Sequence, residues 1–393
     1  MAMDSSLNSL IAFLSLFFVL TNDRVFALAS NLNSMEKRIH KFGRNKPDEE
    51  SRDAKYANPN STIPTAREAA TNLGVQPPLD APASSYKRAW NMHRAAMPFL
   101  HFGDSCKPPD SSLALMCLWW KALAANDPQS PAYDCYLTYD MLPSLTRWLV
   151  GPKICKRYPR LHHANVEIRT AFLDRSVKRL VEGLIAQHQQ THQEISHNDC
   201  GYQNRPKIRL ITLGGGYDAR SIKFLHEGLV DQAIELDLPN VVDAKRKLFS
   251  APRLQRRRKR RRDPSLKSHS ALLLPDLYPL DLNQLSDVEA KLTDLVVSPN
   301  DQERWHTIFL FEGVMIYLNE GVPHGLLHVC RNVLRKNKSF GGSLVFADRL
   351  ERIPGGDYEI ARPVLAEAGW QIVDWQPKPG LARHMGVAEP IEP

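Results

Sequence analysis

IRLITLGGGYDARSIKFLHEGLVDQAIELDLP, residues 208–239, decides the fold of this chain. Ile208–Leu213 reads as a strand and breaks on three consecutive glycines, Gly214, Gly215 and Gly216. Residues 218–228 carry a helical pattern, and Ala233–Leu238 is a second strand that closes on Glu235 and Asp237. Further along the chain, Thr307–Phe311, Leu344–Asp348 and Gln371–Trp375 read as strands, with helices expected over 240–248, 286–296 and 321–335. Another helix falls within Ile353–Gly369, its end marked by Gly369. Strands alternating with helices predict an α/β fold with a doubly wound, mostly parallel sheet.

Upstream, Asn165–Gln187 places apolar residues at Ile168, Phe172, Val177, Leu180, Leu184 and Ile185, close to helical spacing, with Asn165 as candidate cap and the following His/Gln tract as a loop. Residues 86–165 hold three aromatic-rich helical stretches, RAWNMHRAAMPFLHF, LALMCLWWKALAA and YLTYDMLPSLTRWLV, which predict an N-terminal helical cap and substrate region on a domain spanning 166–393. Residues 30–85 are polar without apolar period and read as a disordered or transit-like linker. Residues 1–29 combine the apolar run LIAFLSLFFVL (10–20) with Ala27-Leu28-Ala29, the pattern of a signal or targeting segment, with an uncleaved anchor or a buried helix as the alternatives. The run is short for a transmembrane span, so no stable membrane domain is expected. Secretion or plastid import is the implied route, and a cytoplasmic location the alternative.

Composition is globular, with 43% hydrophobic and 24% charged residues in 393. The formal charge of +8 is concentrated in RLQRRRKRRR, residues 253–262, which alone supplies eight basic residues. Without it the chain is near neutral, which argues against nucleic acid as a partner. The insertion 251–270 around that run is expected to be a solvated loop, with a nuclear-localisation or nucleic-acid patch as the alternative. The six cysteines make no CxxC pair, so neither a metal site nor a disulfide framework is indicated.

A side-chain-free turn at the carboxyl end of a strand lets a ligand lie against backbone, and in open α/β sheets that crevice is where ligands bind. A carboxylate about twenty residues later can accept both hydroxyls of a ribose, which suits an adenosine cofactor. GGGYDAR lacks the GxGxxG spacing that aims a helix N-terminus at a pyrophosphate. An adenosine carrying a sulfonium needs no such phosphate cradle.

LGGGYDAR, IELDLPNVVDAKRKL and FLFEGVMIYL, preceded by IRTAFLD, resemble the leucine carboxyl methyltransferase family over roughly 132–373. The resemblance implies a class I, Rossmann-like methyltransferase that uses S-adenosylmethionine. It also implies roles by position. Arg169 would meet the methionyl carboxylate, Gly214 and Gly216 would lie against the cofactor, and Asp237 would meet the ribose, with Glu235 as its alternative. Asp281 and Leu282 would flank the adenine, Glu312 would lie near the ammonium group, and Lys121 is a looser match to a family lysine. Other roles stay open: a surface ion pair with Asp174 for Arg169, helix capping for Asp281, and a buried structural acid for Glu312.

The resemblance implies a carboxylate acceptor, with a protein C-terminus or a small molecule as substrate. A carboxylate is already ionised at neutral pH and needs no base, only cations to hold it. Arg147, Arg160, His162 and His163 are the candidates for the acceptor side. A hydroxyl acceptor would need a base, for which His162 or His163 is the choice; a structural role for the pair is the alternative. A non-catalytic scaffold binding acidic partners through the Arg-rich loop is the reading from a different class. The long stretch 86–165 and the basic insertion depart from the family pattern.

Overall fold

Seven strands build one sheet: β1 Lys207–Leu213, β2 Gln232–Asp237, β3 Asp276–Pro279, β4 Trp305–Glu312, β5 Gly342–Asp348, β6 Trp370–Gln376 and β7 His384–Pro390, in the order β3-β2-β1-β4-β5-β7-β6. Pairings among the first five are parallel, and β7 runs antiparallel between β5 and β6. The helices are α1 Leu137–Met141, α2 Leu161–Ile195, α3 Arg220–His226, α4 Pro239–Phe249, α5 Leu285–Val296, α6 Val322–Lys336 and α7 Tyr358–Glu367. This computed structural model describes residues 117–118, 120–122, 124–125, 130, 132, 137–142, 161–195, 206–250, 273–297, 305–336, 341–351, 353, 358–376 and 384–391. All belong to the unit Ile63–Pro393. The segments expected over 1–29 and 30–85, the basic insertion 251–270, Arg147 and Arg160 lie outside the described residues, as do the side chains of His162 and His163.

The strands are apolar on both faces because helices cover both. Ile208 and Leu210 of β1, Ile308 and Leu310 of β4 and Val345 of β5 pack with Ile168, Phe172 and Val177 of α2 and Phe224 of α3. Their neighbours Ile211, Leu213, Phe309, Phe311, Leu344 and Phe346 point the other way, onto Val288, Leu292, Leu326 and Val333 of α5 and α6. That alternation is the period of two of a pleated strand, doubled because neither face meets water. A third cluster joins Leu118 and Met141 from the N-terminal helices to Tyr217, Ile222, Val241 and Ala244.

The chain starts in the middle of the sheet, winds outward through β2 and β3, then returns to lay β4 on the other side of β1, pairing Leu213 with Phe311. The direction of winding reverses there. The carboxyl ends of β1 and β4 therefore border a crevice that no crossover helix fills.

Three local expectations are corrected. α2 begins at Leu161, so Asn165 lies inside the helix rather than capping it, and the helix continues through the His/Gln tract to Ile195. The sheet also contains two strands the sequence reading passed over, β3 and β7.

One core residue makes stability depend on pH. His306 on β4 is buried, with Nε2 3.0 Å from Ser343 Oγ, and burial pushes its pKa down to about 4. Below pH ~6.5 the unfolded chain takes up a proton that the fold refuses, so stability falls from there and levels off near pH 4. The loss amounts to about 3 kcal/mol at most. Denaturant titrations of wild type and His306→Gln across pH 6.5 to 4.5 should show a steeper decline in the wild type; parallel curves would contradict the assignment.

Candidate functional site

The crevice at the β1/β4 reversal is a cleft of about 290 Å³, near the lower end of the roughly 300–1,000 Å³ of ligand sites. Its floor is the glycine turn. Gly214 donates to Leu236 O (2.8 Å) and has φ +72°, a left-handed conformation that a side chain strains. A Cβ there would stand 2.3 Å from Val314 Cγ2, so the turn and the loop after β4 approach as closely as hydrogen allows. Gly216, at φ +49°, turns the chain toward α3. The far wall is the loop after β4, fastened by the fully buried Asp348 at the end of β5, whose Oδ2 accepts from Val314 N (2.6 Å) and Met315 N (3.0 Å).

Asp237 and Glu235 part ways. Asp237 ends β2 at the cleft, with its carboxylate accepting from Gly216 N (2.6 Å) and Leu238 N (2.7 Å). Burial raises its pKa against the pull of these two N–H donors. Each oxygen keeps a lone pair for a further donor. Glu235 lies two residues earlier on the same strand, outside the cleft lining and ion-paired to Lys245 of α4; its Oε2 backs the turn 2.8 Å from where a Gly215 Cβ would be. It is thus a structural acid supporting the turn, and the alternative of Glu235 as the ribose acid is not supported by its placement.

The loop after β3 forms the third side. Leu280 N donates to Asp237 O (2.7 Å), placing Asp281 and Leu282 beside the acid. Asp281 Oδ1 accepts from Asn283 N and Nδ2, both 3.0 Å, closing a side-chain turn. The N-cap of α5 is Gln284, so Asp281 does not cap that helix. Asn283 Oδ1 in turn receives Asn319 N (2.8 Å), tying this loop to the one after β4.

At the opposite end lies a buried ion cluster. Glu312, the last residue of β4, receives Lys121 Nζ (2.8 Å) and Arg220 Nη1 (2.9 Å) on Oε2, and Arg169 Nε and Nη2 (both 3.3 Å) on Oε1. Lys121 also meets Asp218 (2.9 Å), while Arg220 bonds Asp218 (2.5 Å) and Asp174 (2.6 Å), which Lys223 joins at 2.8 Å. Four cations face three anions. Burial alone would raise Glu312, but Lys121, Arg220 and Arg169 outweigh it and hold the carboxyl well below the usual range. Asp218 is lowered for the same reason: burial is outweighed by Arg220 and Lys121. A small cavity of about 20 Å³ beside the cluster, lined by Thr170, Asp174 and Arg220 among others, has room for one water.

Lys121, Arg169, Gly214, Gly216, Asp237, Asp281, Leu282 and Glu312, singled out from sequence, all line this one cleft. Arg169 pairs with Glu312 and not with Asp174, and Glu312 is as buried as a structural acid would be while still facing the cleft. Sequence reasoning gave no role to Asp218, Arg220, Asn283 or Tyr317. The first two stand in the quoted LGGGYDAR, but nothing in that string says which way they point.

These residues suit an adenosine-linked amino acid. A glycine cradle admits close approach, Asp237 offers acceptors for a diol, Asp281 an acceptor for an exocyclic amine, and Arg169 a planar fork for a carboxylate. A sheet of this order, with its last strand inserted antiparallel and such a cleft at the reversal, defines a class I S-adenosylmethionine-dependent methyltransferase. The sequence model of the leucine carboxyl methyltransferase family matches residues 114–330, more than half of the 393, and the chain belongs to that family. A search of curated proteins finds no match. Among solved structures, the chain is similar to magnesium protoporphyrin IX methyltransferase from Synechocystis PCC 6803 with bound SAM, at 12% identity and TM-score 0.32 over 64% of this chain and 97% of that one. It is also similar to the pyocyanin biosynthetic protein PhzM, at 15% identity and TM-score 0.31 over 78% and 96%. Nothing about the reaction rests on these two likenesses. Among the described residues, no cluster of His, Cys, Asp and Glu could hold a metal ion, and no helix is long and apolar enough to cross a membrane.

Proposed function

We propose that the chain methylates a carboxylate, of a protein C-terminus or a small molecule, to give a methyl ester. The observation that carries this is the chemistry of the ion cluster end of the cleft. Its lining brings two cations, Lys121 and Arg169, to bear on the cleft, and its two acids, Glu312 and Asp218, are held ionised below the usual range. Carboxylates so acidic are poor proton acceptors near neutral pH. A hydroxyl acceptor needs such a base; a carboxylate does not.

Bound S-adenosylmethionine supplies a methyl group on a sulfonium, transferred by in-line displacement with a neutral leaving group. The chain contributes position and exclusion of water. Arg169 would hold the amino-acid end, Asp237 and the glycine turn the ribose, and Asp281 and Leu282 the base, with Val314, Tyr317 and Leu318 walling the cleft.

The experiment is incubation with methyl-labelled cofactor and a cell extract, followed by mild base. Volatile methanol from the labelled product supports the ester, whereas base-stable label would mark an ether and replace this reading with hydroxyl transfer. Binding is checked separately: the cofactor should raise the melting temperature of the wild type, and Asp237→Ala should remove that shift. We further propose that residues 1–29 direct the chain into the secretory route or a plastid, which N-terminal sequencing of the mature protein tests.

A further inference from the structure

We propose that Arg220 is a positioning residue for the amino-acid end of the cofactor, acting from outside the cleft as the fixed counter-ion of Glu312. This rests on the S-adenosylmethionine reading of the cleft. Arg220 does not line the cleft, yet its guanidinium bonds two acids that do, Asp218 (2.5 Å) and Glu312 (2.9 Å), and is anchored through Nε on Asp174 (2.6 Å). One side chain, 4% exposed, thereby joins α2, the turn after β1 and the end of β4. A planar guanidinium can serve three carboxylates at fixed angles; a lysine ammonium cannot impose that geometry.

The other two partners of Glu312 are differently placed. Lys121 and Arg169 both line the cleft, and Arg169 meets the carboxylate only at 3.3 Å. A ligand with an α-amino acid group brings a carboxylate that competes for these cations and an ammonium that needs an acid. If Glu312 had only cleft-lining partners, drawing them off would leave a buried, uncompensated charge, which is strongly unfavourable. Arg220 does not line the cleft, so a ligand there would not displace it from Oε2, and the acid would stay ionised for the ammonium.

The test uses two probes that differ only at that end: S-adenosylhomocysteine, which has the amino-acid group, and 5′-methylthioadenosine, which lacks it. Calorimetric titration of Arg220→Gln should show affinity for S-adenosylhomocysteine reduced on the order of 10- to 100-fold, with methylthioadenosine changed by less than about threefold. Asp174→Asn, which frees the anchor and retains the arginine, should give a smaller loss with the same selectivity, and serves if Arg220→Gln does not fold. Equal losses for both probes, or none for either, would overturn the proposal and leave the cofactor reading standing. A wild type that binds neither probe would instead remove the cofactor reading itself.

Discussion

Replacing Glu312 by glutamine is expected to lower the melting temperature by roughly 10 °C and to abolish the shift produced by the cofactor. The carboxylate is the meeting point of Lys121, Arg169 and Arg220, all buried. The isosteric amide fills the same space and removes the charge, so the four cations of the cluster are left with two anions, Asp218 and Asp174. Breaking a buried pair by deleting one partner costs about 3–5 kcal/mol, and each kcal/mol is worth roughly 2–4 °C in a domain of this size. The effect carries a pH sign. Because the folded pKa of Glu312 lies below its ordinary value near 4.5, its stabilisation is fully present above pH ~4.5 and is lost as pH falls toward the folded value. The gap between wild type and Glu312→Gln should therefore be full at pH 7 and narrow below pH ~4.5. Adding Lys121→Met to Glu312→Gln should restore part of the stability, since it removes one of the stranded cations. Superimposable melts at pH 7 would show that the cluster contributes nothing to the fold.

Gly214→Ala is the second large effect, and it has an internal control. At φ +72° a Cβ costs about 1–2 kcal/mol in strain, and here it also enters Val314, 2.3 Å from Cγ2 and 2.7 Å from Cβ. Gly228 has a similar φ of +64° with nothing within 4 Å of its Cβ position, so Gly228→Ala incurs the strain alone. We expect Gly228→Ala to lose about 1 kcal/mol and keep cofactor binding, and Gly214→Ala to lose several kcal/mol and bind at least 100-fold more weakly. Combining Gly214→Ala with Val314→Ala should recover the collision part of the stability only. If Gly214→Ala and Gly228→Ala behave alike by melting and by calorimetry, the close approach of turn and wall is not what Gly214 secures.

The parallel half of the sheet was legible in the sequence because its strands are buried on both faces and read as apolar runs ending in glycine or acid. β3 escaped notice since it is four residues long and half exposed at the sheet edge. β7 escaped for another reason: its sequence, HMGVAEP, carries a glycine in the strand interior. That glycine, Gly386, is there because the Phe346 ring and the Asp374 carbonyl leave a Cβ only 2.7 and 2.9 Å, a demand of tertiary packing that has no local pattern. The choice between Glu235 and Asp237 was likewise open, because residues two apart on a strand share a face; only depth in the strand and the arrival of Lys245 separate them. Arg220 shows the limit most clearly, since its partners come from 46 and 92 residues away along the chain.

The way Asp348 fastens the loop after β4 bears on how this enzyme can diversify. The acid grips amide hydrogens, not side chains, at Val314 and Met315. The course of the wall is thus set from the sheet through backbone amides, and its tip presents Ile316 and Tyr317 to solvent at 36% and 52% exposure. A backbone held in this way can keep its course while exposed side chains on it change, so Ile316→Ala and Tyr317→Ala are expected to leave the melting temperature within about 1–2 °C of wild type.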